Sequence, residues 1–476
     1  MQQFWKLNKV PLLLTFVSVL LYWYVAYNLV RTDYTSLILL YSSLWLVFIL
    51  LLKYTIDNIR FLTVIAFLSR AILILAIPNL SQDFYRFIWD GRMILEGFNP
   101  YLYTPESFMQ SGNLPVNQAE ALYEGMGQLN GSHYTNYPPI NQLCFVIAGL
   151  FSGHSILGSA VVLRLLIIAA DFGTFFFGKQ LLKTLGLPIK NIFWFILNPF
   201  IIIELTGNLH FEGVMIFFLV WSLYLLHIGR WKWAAVVFAL SISVKLIPLL
   251  FLPLLFRYFK KPTVISSIVE TSKTPLDYAG GDNVIDYKTL VQFYIIVGLT
   301  TCILFAPFFS LEFVNNYAET VGLWFQNFEF NGSIYYIARE IGYRFRGYNE
   351  IAVIGKILPV VVFLIVIGLA FFRRQTDTRQ LVIKMLLAFT CYLFLSTTVH
   401  PWYVATLLIL GVFTNYKFPL VWSFVIILSY LAYININTMD KSENLWVIAL
   451  EYIVVYAIFI WEVFINKANS KELASL

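Results

Sequence analysis

Apolar segments of bilayer-spanning length recur along the whole chain. A helix needs about 20 apolar residues to cross a bilayer, and only helices or closed barrels satisfy their backbone hydrogen bonds there. Because 59% of the 476 residues are hydrophobic and only 12% are charged, a soluble globule is excluded. The sequence predicts an all-α, polytopic membrane protein with about twelve transmembrane helices plus re-entrant segments. The predicted spans are residues 10–30, 35–52, 61–79, 155–178, 191–206, 211–228, 289–309, 351–372, 381–398, 403–415, 419–436 and 446–465.

Two further apolar stretches do not fit as simple crossings. Residues 233–256 are flanked by Arg and Lys at both ends, so we expect a hairpin that enters and leaves on the cytoplasmic side. Its bend is predicted at KLIPLLFLP, where Pro248 and Pro253 remove backbone donors. Residues 137–153 begin YPP and are short for a crossing, which predicts a re-entrant or interfacial helix on the outer side.

The distribution of positive charge sets the orientation. With the N-terminus inside, most of the 32 Lys and Arg residues fall in cytoplasmic segments, as the positive-inside rule requires. The net charge of +6 therefore reflects membrane orientation and does not indicate nucleic-acid binding. The first apolar run lacks a small-residue cleavage pattern, which predicts an anchor. The three cysteines are widely spaced and indicate neither a disulfide framework nor a metal motif.

These segments divide the chain into five parts. The division follows the changes from apolar runs to polar stretches. The parts are an extra N-terminal transmembrane hairpin (1–60), a catalytic membrane module with outer loop 80–137 (61–257), a cytoplasmic linker (258–288), C-terminal membrane helices with outer loop 310–350 (289–466), and a cytoplasmic tail (467–476).

Four polar signatures, far apart in sequence, are predicted to reach the same outer face. They are Asp83 at a membrane exit, the GNLHFEG turn, the segment 324–336, and VHPWY at 399–403. Polar groups from distant segments that converge on one face indicate a functional site, because the membrane topology alone gives no reason for them to gather there. We therefore predict an extracytoplasmic site roofed by the loop 80–137.

Asp83 is the candidate general base. An acid within a turn of a membrane helix is costly and is usually functional. On a helix Asp83, Arg86 and Asp90 would share one face, so a local ion-pair cluster is the alternative. In the functional interpretation Asp83 is catalytic, with Arg86 tuning its ionisation or contacting a donor, and Asp90 is the weaker candidate.

The histidines and other polar residues are candidates for binding a donor phosphate or sugar. His210 and Glu212 lie in a short turn, and His400 and Trp402 lie in VHPWY; each is otherwise explained as a polar or aromatic interface residue. Asn331, in the segment 324–336, belongs to the same set. No ligand spacing typical of a metal supports a metal site, so we predict none.

Lys245 is a cation within an apolar run. Such a charge is expensive unless it is paired or faces a cavity. An ion pair with Asp171 or snorkelling toward the cytoplasm would explain it structurally. The alternative is that Lys245, at the apex of the hairpin, neutralises an anionic lipid headgroup.

The order and sidedness of these motifs resemble the GT-C membrane glycosyltransferases, and among them the polyprenol-phosphate-mannose-dependent α-mannosyltransferases. The resemblance rests on SQDFYR, WDGR with GFNPY, the YPP-started helix, LNPFIIIELTGNLHFEG, SVKLIPLLFLP and HPWY, between about residues 61 and 415. It implies that Asp83 is the catalytic base and that an outer-face histidine contacts the donor phosphate, with His400 the better match and His210 the second. This chain departs from the family pattern in two ways. Two spans precede the span that leads to the acid, and Asp83 has no immediate acidic neighbour.

The resemblance also implies an activity. A hexose, with mannose favoured, would move with inversion from a polyprenyl-phosphate donor to an extracytoplasmic glycan or glycolipid acceptor. No cofactor or metal is expected, the partners are the bilayer and these two substrates, and the location is a bacterial inner (plasma) membrane. A transporter or flippase of a lipid-linked sugar is the alternative, because carriers also have broken helices and intramembrane charges.

Overall fold

The computed structural model describes residues 2–259, 285–326, 328–371, 377–437 and 443–466. Within these residues the regular structure is helical, and the β-type pairing is one isolated bridge between Phe330 and Thr398. The predicted all-α class is confirmed. Most of the predicted linker 258–288 and the whole tail 467–476 lie outside the described residues.

Twenty α-helices are described, several of them started by side-chain caps. Asp33 accepts the N–H of Ser36, and Asn58 accepts that of Phe61, each at 3.1 Å. The helices are α1 Gln2–Tyr27, α2 Tyr34–Thr55, α3 Ile59–Ile72, α4 Asp83–Leu95, α5 Pro105–Ser111, α6 Ala119–Gly131, α7 Pro139–Ser152, α8 Ile156–Thr184, α9 Phe193–Ile196, α10 Pro199–Ile201, α11 Glu212–His227, α12 Trp231–Ile242, α13 Tyr287–Phe305, α14 Leu311–Gln326, α15 Ile334–Arg346, α16 Ile351–Phe371, α17 Thr378–Leu395, α18 Val404–Val412, α19 Phe418–Val425 and α20 Leu445–Ile460.

In the described residues seven helices are long and apolar enough to cross a membrane, and all seven were predicted as spans. They are α1, α2, α8, α13, α16, α17 and α20. An eighth predicted span is broken, because Ile189–Ile196 and Pro199–Gly207 meet at a bend of 49°. The remaining predicted spans are shorter helices, and α11 and α18 are buried over most of their length. The seven long apolar helices identify the chain as an integral membrane protein. A short buried helix can lie inside the bundle without facing lipid, so the number of twelve crossings stays a prediction.

The predicted hairpin at 233–256 returns to the end of the bundle from which it came. His227, just before α12, and Tyr258, just after the return, both contact the Thr378 hydroxyl at 3.0 Å. The break lies between Ser243 and Leu246, directly ahead of Pro248, and the chain returns as two 3₁₀ helices, Ile247–Phe251 and Pro253–Arg257. The hairpin is confirmed, with Lys245 at its apex; the side of the membrane it enters from stays a prediction.

Buried arginines fix the helices that carry the site. Arg164 donates to the carbonyls of Ile74 and Ala76, which precede α4, and to those of Thr206 and Gly207 at 2.7–3.0 Å. Since Thr206 and Gly207 belong to the π-helical turn before α11, Arg164 ties the starts of α4 and α11 together. Asp171, which the sequence offered as an ion-pair partner for Lys245, pairs instead with Arg70 at 2.6 Å.

The N-terminal hairpin packs against this same region. The Asn79 amide donates to the carbonyls of Val25 and Leu29 at 2.7 and 2.8 Å. Tyr41 of α2 donates to the carbonyl of Ser423 at 2.5 Å. These contacts hold the turn between α1 and α2 beside the start of α4.

Candidate active site

A cavity of about 610 Å³ lies where α4 and α11 begin. It collects side chains that are far apart in sequence, among them Asp83, Glu212, His400 and Trp402, together with Lys245 at the hairpin apex. The predicted convergence of the four signatures is therefore found; of the described side chains in the segment 324–336, Phe328 is the one that lines the cavity.

Asp83 is the first residue of α4 and lines the cavity. The free N–H groups of a helix N-terminus favour a negative charge there. Its Oδ1 accepts a hydrogen bond from Nδ2 of Asn130 at 3.2 Å. Burial raises the pKa of Asp83, while Lys245, Asn130 and Arg31 oppose that rise. The arrangement gives a carboxylate that is more basic than a solvated one and has a second oxygen outside the Asn130 contact.

A chain of hydrogen bonds braces Asn130 from behind. Nη1 of Arg86 donates to the carbonyls of Asn130 and His133 at 2.6 and 2.9 Å, and its Nε donates to Asp90 at 2.7 Å. Gln142 donates to the other oxygen of Asp90 at 3.0 Å. The predicted donor contact of Arg86 is corrected, because Arg86 does not line the cavity and is held by these partners. Asp83 stays outside the ion pair, so the predicted three-residue cluster reduces to Arg86 and Asp90.

Lys245 and Glu212 face each other across the cavity wall. Nζ of Lys245 lies 3.2 Å from Oε1 of Glu212, whose side chain is fully buried. Glu212 is the first residue of α11, so the pair joins the hairpin apex to that helix. Lys245 also lies 5.1 Å from the ring centre of Tyr137. Lys245 is thus both ion-paired, as the structural interpretation required, and exposed to the cavity, where it could meet an anionic group.

Five aromatic rings form a stacked column along one wall. Successive ring centres are 5.7, 5.1, 4.5 and 3.6 Å apart, and no pair of planes differs by more than 31°. The column contains, in order, Tyr433, Phe330, His400, Trp402 and His210. Tyr433, His400 and Trp402 line the cavity.

The two histidines of the column are neutral at pH 7. Burial lowers the pKa of His400 to about 3, and it lowers that of His210 well below its usual value. His400 reaches the cavity, whereas His210 is buried next to Trp402 with its Nε2 3.9 Å from Glu204. Of the two histidines, His400 lines the cavity, where it can act as a neutral hydrogen-bonding group, and His210 stacks on Trp402 outside the lining.

Asn331 is corrected as a sugar-binding candidate. It is fully buried, has a positive φ of 48°, and does not line the cavity. Its N–H donates to Glu443 at 2.9 Å and its side-chain amide donates to Glu451 at 3.2 Å. These bonds, with the bridge from Phe330 to Thr398, hold Phe330 in the column next to His400.

Sequence reasoning missed several residues of the lining, among them Arg31, Asn130 and Tyr137. Arg31 comes from the turn between α1 and α2, and Asn130 and Tyr137 come from the outer loop. The guanidinium carbon of Arg31 lies 3.4 Å from the ring centre of Tyr433. One sequence feature could have indicated Arg31, because it is one of few cations on the predicted outer side. It lies, however, in the N-terminal hairpin, outside the predicted catalytic module 61–257.

The far part of the cavity is apolar. Leu246, Ile247 and Leu250 of the returning hairpin face Phe389 and Tyr392 of α17 across it. Within the described ranges no three His, Cys, Asp or Glu side chains are grouped so as to hold a metal ion. The lining thus offers two acids, two cations, neutral hydrogen-bonding groups and an apolar part.

The fold and the site define an integral membrane protein whose cavity combines charged side chains with an apolar part. The comparison with known families makes this specific. Residues 9–259 match the family described as Alpha-(1->6)-mannopyranosyltransferase, N-terminal domain. The match covers more than half of the chain, so the chain belongs to this family, and the resemblance to GT-C mannosyltransferases is confirmed.

One relative is Alpha-(1->6)-mannopyranosyltransferase A of Mycobacterium tuberculosis (strain ATCC 25618 / H37Rv). It is 24% identical over 174 residues, which cover 36% of this chain and 32% of that protein. The aligned region therefore spans about a third of the relative's length. The family match includes Arg31, Asp83 and Lys245, whereas the wall with His400 lies beyond it.

Proposed function

We propose that the protein is a membrane mannosyltransferase that moves a mannose from a polyprenyl-phosphate donor to a hydroxyl of a glycan or glycolipid acceptor. Family membership supports the mannosyl transfer, since the family and the relative are both described by that activity. The observation that carries the proposal is the cavity, where the half-buried acid Asp83 lies in the same chamber as Lys245, Arg31 and His400. Transfer from a lipid phosphate needs a base for the acceptor and positive charge for the leaving phosphate.

Asp83 is the base in this proposal. The acceptor hydroxyl gives its proton to the Asp83 carboxylate while its oxygen attacks the anomeric carbon. The bond from that carbon to the phosphate oxygen breaks, and polyprenyl phosphate leaves with one additional negative charge. Attack from the face opposite the phosphate inverts the configuration. The raised pKa of Asp83 suits it to accept a proton at neutral pH.

The leaving phosphate is placed at the wall formed by His400 and Trp402. A neutral His400 can donate one N–H to a phosphate oxygen, and its stacked position limits its rotation. Lys245 adds positive charge from the hairpin apex, although Glu212 balances much of it. The charge that grows on the phosphate in the transition state is stabilised by groups already in place, which is the largest common source of catalysis.

The apolar end of the cavity suits the first isoprene units. Leu246, Ile247 and Leu250 would contact the chain as it passes toward the bilayer. The amide side chains of Asn130 and Asn136, on the Asp83 side, suit the hydroxyls of an acceptor sugar. With the charge distribution of the sequence, this arrangement supports an extracytoplasmic site in a bacterial plasma membrane.

A carrier of lipid-linked sugars has less support. Carriers place charged groups and helix breaks in matching halves near mid-depth. Here the polar groups gather at one end of the bundle, around the start of α4 and α11.

The test uses the purified protein in nanodiscs with synthetic polyprenyl-phosphate mannose and a mannose-containing acceptor. Wild type should form product, and NMR of that product should show the inverted anomeric linkage. Asp83→Asn should keep donor binding and lose transfer by about 10²- to 10⁴-fold. The matched control is Asp57→Asn, because Asp57 is a surface acid that is 87% exposed. Near-normal transfer by Asp83→Asn would remove Asp83 as the base, and no transfer by wild type from any such donor would remove the proposed function.

A further inference from the structure

Of the two cations that line the cavity, Arg31 and Lys245, Arg31 differs in lacking a carboxylate partner within the described residues. Arg70 pairs with Asp171, Arg86 with Asp90, and Lys245 with Glu212. In the part of the chain that the structure describes, Arg31 forms no ion pair. Its Nε is buried and has no hydrogen-bond partner there. A charge kept in a half-buried position without a counter-ion is costly unless a ligand supplies one.

The position of Arg31 is fixed by stacking rather than by charge. Its guanidinium lies 3.4 Å from the ring centre of Tyr433, which is the first ring of the aromatic column. A cation over an aromatic face is stabilised there and keeps its N–H groups in a plane that can still bind an anion. The column therefore carries a guanidinium at one end and the neutral ring of His400 two rings further along. Both side chains line the same cavity.

The nearest acid in sequence does not compensate Arg31. Asp33 caps α2 by accepting the N–H of Ser36, and it is exposed. Within the cavity the acids are Asp83 and Glu212, and Glu212 already balances Lys245. Of the two cations in the lining, Arg31 is therefore the one that no carboxylate contacts within the described residues.

We propose that Arg31, from the turn between the first two helices, is the residue that binds the phosphate of the lipid donor and of the polyprenyl phosphate product. This inference rests on the proposed function and assigns the phosphate contact within it. A planar fork of N–H donors matches two phosphate oxygens, which a lysine cannot do with the same geometry. A guanidinium that no carboxylate contacts can also take the negative charge of a phosphodiester as its counter-ion. The N-terminal hairpin is then part of the donor site and not an addition to it.

The test measures binding of the product without the sugar. Polyprenyl phosphate and polyprenol, each of the same chain length, are titrated separately against the protein in nanodiscs. Arg31→Gln should weaken binding of polyprenyl phosphate tenfold or more and leave polyprenol binding unchanged. Arg31→Lys, which keeps the charge without the fork, should fall between wild type and Arg31→Gln. The matched control is Arg346→Gln, because Arg346 is on the predicted outer side and its side chain is 66% exposed.

A second variant protects the test against misfolding. Tyr433→Leu removes the ring under the guanidinium and keeps the charge, so it should weaken phosphate binding by less than Arg31→Gln does. Unchanged phosphate binding in a folded Arg31→Gln would overturn the inference, while the proposed function would stand if wild type still transfers mannose. If wild type neither prefers polyprenyl phosphate over polyprenol nor transfers mannose, the proposed function itself fails.

Discussion

The pair of Lys245 and Glu212 allows folding and donor binding to be separated. Lys245→Met removes the cation and leaves a fully buried Glu212 carboxylate 3.2 Å from where the ammonium stood. Breaking a buried ion pair in this way typically costs about 3–5 kcal/mol. The Lys245 side chain is 21% exposed, and water can therefore reach the cavity side of the pair. We accordingly expect a loss near the lower end, about 3 kcal/mol, in the free energy of unfolding.

The double variant Lys245→Met with Glu212→Gln is the matched comparison. It removes both charges and leaves a neutral amide, so most of the lost stability should return, to within about 1–2 kcal/mol of wild type. Its mannosyl transfer should stay low, because the cavity has lost a cation near the leaving phosphate. Stability can be followed by titration with a denaturing detergent, and transfer by the nanodisc assay. A single Lys245→Met variant as stable as wild type would refute the reasoning, since the buried carboxylate would then have no need of its partner.

Three further predictions concern the brace behind Asp83 and the pKa shifts of Asp83 and His400. Asp90→Asn should reduce the free energy of unfolding by about 3 kcal/mol, because it leaves Arg86 buried without its anion. The fraction that folds, purified at low temperature, should keep most of the transfer rate per folded molecule. Asn130→Ala removes the hydrogen bond that opposes the rise in the pKa of Asp83. Because the carboxylate must be ionised to accept a proton, kcat/KM falls as pH drops through that raised pKa, and in Asn130→Ala this acid limb should move to higher pH. The pKa of His400, lowered to about 3, means that no limb near pH 6.5 should come from it; such a limb, lost in a His400 variant, would contradict the neutral assignment.

The fold class and the position of the site could be predicted because they depend on local signals. Apolar run length gave the long helices, and the prolines with flanking cations gave the hairpin at 233–256. Asp83 and His400 could be found since each is a polar group at a membrane exit, where burial is costly and function is the usual reason.

What could not be predicted depends on long-range packing. Arg86 had the spacing of a surface ion pair, but the same spacing does not show that its remaining N–H groups hold the carbonyl of Asn130. Asn331 looked like a ligand of a sugar, yet its partners Glu443 and Glu451 lie more than a hundred residues further along the chain. Arg31 was missed because nothing in the first hairpin indicates that it packs beside α4.

The two walls of the cavity come from different parts of the chain. The acid wall, with Asp83 and Lys245, lies within the residues that match the family, and the stacked wall with His400 comes from residues beyond the match. Inverting transfer needs the base and the leaving phosphate on opposite sides of the sugar, so neither wall could act without the other. The hairpin at 233–256 carries Lys245 of the acid wall, and its return packs against α17, whose Phe389 and Tyr392 line the same cavity. A small shift of that hairpin would therefore change the distance between the base and the phosphate. The rigidity of the hairpin, set by Pro248 and Pro253, is thus part of the catalytic geometry we propose.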